Sequence, residues 1–220
     1  MIRRLFTVAI LTFALVAGAL VVGADIGARV FAEHQIADRA KASTGASSST
    51  ASINSFPFLY DLLAEGKAKQ VTVHLTGVPL GPLRISRVDL KASGVHLDVG
   101  YLVHHQKARV KSVDSADARL TLTAADISAA TGVQVSITGN QVTASLAGVS
   151  IPVTVGVTGG HVLTLNVEGH QIFNFDLDRS PIIPTCDMQL ATANEAISLE
   201  CRVSPVPPAV IAAISARTSG

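Results

Sequence analysis

Tryptophan is absent from this chain and only nine of its 220 residues are aromatic, while valine alone numbers 26. A chain so poor in large rings and so rich in β-branched side chains predicts a β-rich body with an aliphatic interior. An excess of charge is missing as well. Seventeen Lys+Arg stand against sixteen Asp+Glu, a formal charge of +1. With so little to neutralise a phosphate backbone, nucleic acid is excluded as a partner. Charged residues make up 15% and hydrophobic ones 48%, which rules out wholesale disorder. The length allows one domain or two small ones.

Signatures of catalysis are missing too. There is no G-x-S-x-G nucleophile elbow, and no P-loop or dinucleotide fingerprint. His104-His105 is the one histidine pair, and neighbours on a strand point to opposite faces, so it reads as a polar loop. Two cysteines without matching histidine spacing make no zinc site. Asp114, Asp117 and Asp126 are too sparse for an acid–base pair. Asp176 and Asp178 share a strand face beside Arg179, which gives only a weak cation site. The expectation is a protein with no enzymatic activity, no metal and no cofactor.

What is present starts at the N-terminus. Arg3 and Arg4 precede an uncharged apolar run from Leu5 to Ala24. A positive start, an apolar stretch and small residues near its end make an export signal. The run is also long enough to cross about 30 Å of hydrocarbon as a helix. Two readings follow for residues 1–24. Cleavage after Ala24 would release a periplasmic protein. Retention would anchor it, by residues 5–24, on the outer face of the cytoplasmic membrane. No cysteine lies near the run, so a lipoprotein anchor is excluded. Without residues 1–24 the body has 15 basic and 16 acidic residues.

Cysteine placement agrees with export. Segments 185–191 and 196–203 alternate around a short turn near Ala193-Asn194, which predicts an antiparallel hairpin. Residues whose numbers sum to 387 would then face each other, and Cys186 and Cys201 do. A disulfide is expected there, in an oxidising compartment.

Residues 25–41 repeat Ala28, Ala32, Ile36 and Ala40 at four-residue spacing, which predicts a helix. Residues 42–55 are mostly small and polar, a linker or a weak first strand at 49–53. The remainder, 56–217, reads as one domain. It opens with a short amphipathic helix, Pro57 at its start and Gly66 at its exit. Beyond Gly66 the period becomes two. A slip of phase near Ser86-Arg87 predicts a bulge. A helix is expected over 124–131 with Thr123 as its cap. Strands follow at 133–138, 141–147, 152–157, 161–168 and 171–177, and a C-terminal helix opens at Pro207-Pro208. Long antiparallel runs with helices near each end predict an α+β fold, a long curved sheet wrapped around short helices.

The residues Phe56-Pro57-Phe58-Leu59, Leu62-Leu63, Gly66, Val71, Val73, Gly81-Pro82-Leu83-Arg84-Ile85, Val88, Leu90 and Gly94-Val95 form a spaced set. It resembles the opening of the LmeA-like phospholipid-binding family of actinobacterial envelope proteins. The run Leu120–Ile127 is similar to the family's middle segment. At Ser180-Pro181-Ile182-Ile183-Pro184 the chain departs from a Leu-Pro-Gly-like turn. The resemblance implies a tubular lipid-binding fold and a non-enzymatic phospholipid binder. It also implies phosphatidylinositol-type lipids and a link to lipoglycan assembly, with an envelope glycosyltransferase as a further partner.

Physics states what such a protein needs. Each buried CH₂ contributes about 0.8 kcal/mol, and extraction from a bilayer loses a similar amount, so a long apolar lining is required. Phe56, Phe58, Leu59, Leu62 and Leu63 are expected to close one end or dip into the membrane, with Val71, Val73, Leu83 and Ile85 along the wall. Arg84, Arg87, Lys107, Arg109 and Lys111 are the headgroup candidates. The other reading is a structural or adaptor module for an envelope glycan enzyme.

Overall fold

A computed structural model of the chain describes residues 2–105, 109–146, 148–177, 186–193 and 195–212, with side chains from residue 22 onward except at 102, 103 and 193. Lys107, Asp178, Arg179 and the segment Ser180–Pro184 lie outside the described residues.

Helix α1 runs unbroken over Ile2–Thr44, so the expected 25–41 helix is continuous with the apolar run. Strand β1 (Ser48–Ile53) and helix α2 (Phe58–Ala64) follow. Three long strands come next: β2 (Lys67–Leu80), β3 (Leu83–Leu97) and β4 (Val110–Thr123), with α3 (Val99–His105) before β4. His104 and His105 thus end a short helix, not a loop. Helix α4 (Ala124–Thr131) begins at Thr123, which shares a capping box with Asp126, as the sequence predicts. Strands β5 (Gln134–Thr138), β6 (Gln141–Leu146), β7 (Val149–Thr158), β8 (Val162–Val167) and β9 (His170–Asp176) form a meander. Strands β10 (Gln189–Ala193) and β11 (Ala196–Val203) complete the described strands. Residues 208–212 are helical, and Val206 and Ile211 are buried.

The expectation of one long sheet curled around short helices is not met. The strands form two antiparallel sheets, in the orders β1-β2-β3-β4-β11-β10 and β5-β6-β7-β8-β9, and neither is closed or strongly curled. The fold remains α+β. The reason for the correction lies in the side chains expected to line a tube. Leu83 and Ile85, expected along the wall, instead belong with Leu75, Val88, Leu120 and Leu199 to one buried cluster that includes Val142, Val153, Leu163 and Leu165 of the second sheet. The second sheet fills the space that the first would have enclosed. Alternation of apolar residues gives a buried face, but it does not say which sheet a strand joins.

The bulge expected near Ser86-Arg87 is absent, since β2 and β3 keep one register from Lys67↔His96 to Leu80↔Leu83; the slip of phase is a change of face on two strands at once. Below it Val71, Val73 and Leu75 share one face of β2, and above it Val78 and Leu80 take over. Gly77 stands there at a φ of 61°, where the ladder skips from Thr76↔Arg87 to Val78↔Ile85. The cysteine hairpin pairs Gln189↔Glu200 through Ala193↔Ala196, so it turns one residue later than expected. Cys186 and Cys201 are bridged nonetheless, with Cα atoms 6.0 Å apart.

Candidate functional site

Strand register assembles what the sequence leaves scattered. On the inner face of the first sheet, residues line up in rungs across the strands. The uppermost of three runs Ser49, Leu75, Val88, Leu120 and Leu199, and its four apolar members are about 1% exposed or less. The next runs Ala51, Val73, Leu90, Ala118 and Cys201, and the third Ile53, Val71, Ala92, Ala116 and Val203. The second sheet covers the uppermost rung. Helices α1 and α2 cover the Ile53 end of the third rung, where Phe58 and Leu62 pack with Ala28, Ala32, Ile36 and Val71. Between these covers Val71, Val73, Leu90, Ala92, Ala116 and Val203 are only half-buried. This half-buried row, with two alanines at the centre of the third rung, is the apolar trough of the inner face.

Polar groups gather at the Ile53 end. Glu33 of α1 accepts a hydrogen bond from the Ile53 amide at 2.8 Å. Arg29 lies one turn before it, its Nε 3.8 Å from the Glu33 carboxylate, buried and without a hydrogen-bond partner. Nearby, Asp61 of α2 is 2% exposed and accepts from Ser55 at 2.9 Å and from the Lys69 ammonium at 3.0 Å. The Lys69 contact holds this carboxyl below its ordinary range, with Ser55 adding to the effect against the cost of burial.

The outer face of the same sheet has the opposite character. A cleft of about 1010 Å³ is lined by His74, Arg87, Asp89, Lys91, Arg119 and Glu200 of this face, and also by Leu90, Ala118, Cys201 and Val203 of the rungs. These charges pair across strands. Asp89 takes His74 and Arg87, and Arg119 meets Glu200 at 2.8 Å. Burial pushes the Asp89 carboxyl up, but the bonds from His74 and Arg87 outweigh it and the net shift is downward. Among the described residues no group of three His, Cys, Asp or Glu side chains could hold a metal.

The sequence-predicted residues separate by place. Val71 and Val73 line the trough. Phe58 and Leu62 are buried under α1, with Leu59 packed against them, whereas Phe56 and Leu63 are exposed. Leu83 and Ile85 are 2% and 3% exposed in the core shared with the second sheet. The described basic candidates lie in two places, Arg109 and Lys111 together at Asp98 and the other two on β3. Arg84 and Arg87 are exposed on β3. Arg109 lies over the Tyr101 ring at 5.7 Å, and Lys111 pairs with Asp98 at 3.6 Å. Sequence reasoning missed Ala92, Ala116, Val203 and Arg29. The alanines carry no signal of their own; only pairing puts them in one row.

Among the described residues no helix is long and apolar enough to cross a membrane; the side chains of residues 5–21 lie outside that set. No curated protein matches this chain, and no solved structure does. A family model described as LmeA-like phospholipid-binding matches residues 23–219. With nearly its whole length matched, this chain belongs to the LmeA-like phospholipid-binding family.

Proposed function

We propose that this is a cell-envelope protein that holds one phospholipid with an acyl chain laid across the third rung. The half-covered apolar row from Ile53 to Val203 carries the reading. Four interstrand steps of about 4.8 Å make it roughly 19 Å long, a length suited to a fatty chain. At about 0.8 kcal/mol per CH₂, burial along it contributes on the order of 10 kcal/mol. A bilayer offers a comparable gain, so exchange between the two is nearly balanced, as a carrier requires. Arg29 stands at the end where an anionic headgroup would sit, and a guanidinium suits a phosphate. The lipid is of the phosphatidylinositol type, and its delivery serves lipoglycan assembly by an envelope glycosyltransferase. Residues 5–24 hold the protein at the outer face of the cytoplasmic membrane.

The test is photo-crosslinking of the full chain in membranes containing a phosphatidylinositol with a photoreactive acyl chain. Labelled peptides should include Ala92, Ala116 or Val203. Labelling confined to the apolar run would leave the inner face without a lipid, and the adaptor reading would take its place.

A further inference from the structure

Asp25 is the first charged residue after the apolar run, and it is 4% exposed. Its carboxylate accepts a hydrogen bond from the Leu59 amide at 2.6 Å. Helix α2 is therefore tied to α1 at the very point where the run ends. Phe58 and Leu62 of α2 face inward. Phe56, Tyr60 and Leu63, at 62%, 62% and 58% exposure, face away from the body. On α1 the exposed Val22 and Ile26 are one turn apart beside this junction. Exposed apolar side chains grouped around one junction mark an interaction site.

We infer that this base is a platform seated in the surface of the lipid bilayer from which α1 emerges. The inference rests on the anchor reading of residues 5–24 and gives it a second contact. Continuity decides the occupant. With the run in the hydrocarbon, Asp25 stands at the interface, and the bond to Leu59 holds α2 beside it. Tyr60 suits that depth, with an apolar ring and a polar tip.

Charge contributes little to the contact. Lys69 pairs with Asp61, Lys67 with Asp114 and Lys111 with Asp98. Seating should therefore not require anionic lipid. The platform also brings the Ile53 end of the apolar trough to the membrane, since Ile53 packs against the inward face of α2.

The test uses the full chain reconstituted in phosphatidylcholine vesicles containing nitroxide-labelled lipid. The two native cysteines are joined, so an introduced thiol can be labelled alone. An environment-sensitive dye is placed at Leu63→Cys, at Tyr60→Cys, or at Val149→Cys, which is exposed on the second sheet. The dyes at 63 and 60 should be quenched severalfold more than the dye at 149, in high salt as in low. Equal quenching at all three sites, with the protein still floating with the vesicles, would overturn the platform and leave the lipid-trough reading intact. A chain that does not float with vesicles would remove the anchor and the platform together. Crosslinking at Ala92 reports on the trough in either case.

Discussion

A side chain at Gly94 would collide with the carboxylate of Asp114 on the neighbouring strand. The two stand where the β3–β4 ladder skips, between Ser93↔Ser115 and Val95↔Val113. Gly94 has a φ of 62°, which a residue with a Cβ rarely adopts. The space lets Asp114 reach Lys67 and His96, each at 3.2 Å. Gly94→Ala should lower stability by about 1–3 kcal/mol, from the backbone conformation and the collision together. Urea unfolding measures it. A loss within error of zero would mean the strand relaxes freely there.

The buried Asp61 predicts an asymmetric response to pH. Its pKa is lowered in the folded chain, chiefly by Lys69. Its contribution to stability is therefore complete above the unfolded value of about 3.9 and is lost as pH falls through the lower folded value. The Lys69 ammonium is raised by the same contact. Its share is complete below its unfolded value of about 10.4 and is lost as pH rises through the higher folded one. Between these limits the pair adds a flat plateau. Asp61→Asn should lower the neutral plateau and flatten the acid limb. Thermal melts of both proteins from pH 2 to 8 would give parallel curves if the carboxylate had no such role.

The elements that were legible in the sequence are those set by local chemistry. Thr123 caps α4 where the sequence places it, and β5 to β9 fall within a few residues of their expected bounds. Those features depend on neighbours in the chain. The division into two sheets does not, because an apolar face is the same text whether it meets a lipid or another sheet. The trough was hidden for a related reason. Ala92 and Ala116 become neighbours of Val71 and Val203 only through register across four strands. Arg109 and Lys111 meet at Asp98, whereas Arg84 shares their charge in the sequence but lies on β3.

The two sheets share one interior, which predicts one unfolding event. Leu163 in the second sheet and Leu199 in the first are both 0% exposed. Either leucine changed to alanine should cost about 2–5 kcal/mol. Each should shift a single transition, seen alike by calorimetry and far-ultraviolet dichroism. Two separate transitions would show that the second sheet is an independent unit.

The Cys186–Cys201 bridge spans a sequence separation of 15. In the chain-entropy picture such a closure stabilises by about 3 kcal/mol. It fastens the segment before β10 to the centre of β11, beside Met188, whose amide bonds to the Gly160 carbonyl of the second sheet. Paired Cys186→Ser and Cys201→Ser replacements should lower the unfolding free energy by that amount, and with it the denaturation midpoint, in an unreduced sample. Reduction of the native protein should do the same, and a midpoint untouched by dithiothreitol would remove the bridge from the stability of this edge.

The position of the lipid can be decided between the two faces of one sheet. Ala92 lies on the inner face, half-buried between Val71 and Ala116. Arg87 belongs to the outer face and lines the charged cleft. A phenylalanine at 92 would fill the trough with a ring where a fatty chain should lie. The side chain there is not fully enclosed, so the fold should lose no more than about 1 kcal/mol. Ala92→Phe should reduce acyl-chain crosslinking severalfold with little change in melting temperature. Arg87→Ala should leave crosslinking near its original level, because its guanidinium is already held by Asp89 at 2.9 Å on the far side of the sheet. The reverse pattern, with Arg87 essential and Ala92 indifferent, would move the lipid to the charged face. An apolar chain on that face would be surrounded by paired ions, and binding would then depend on the headgroup alone.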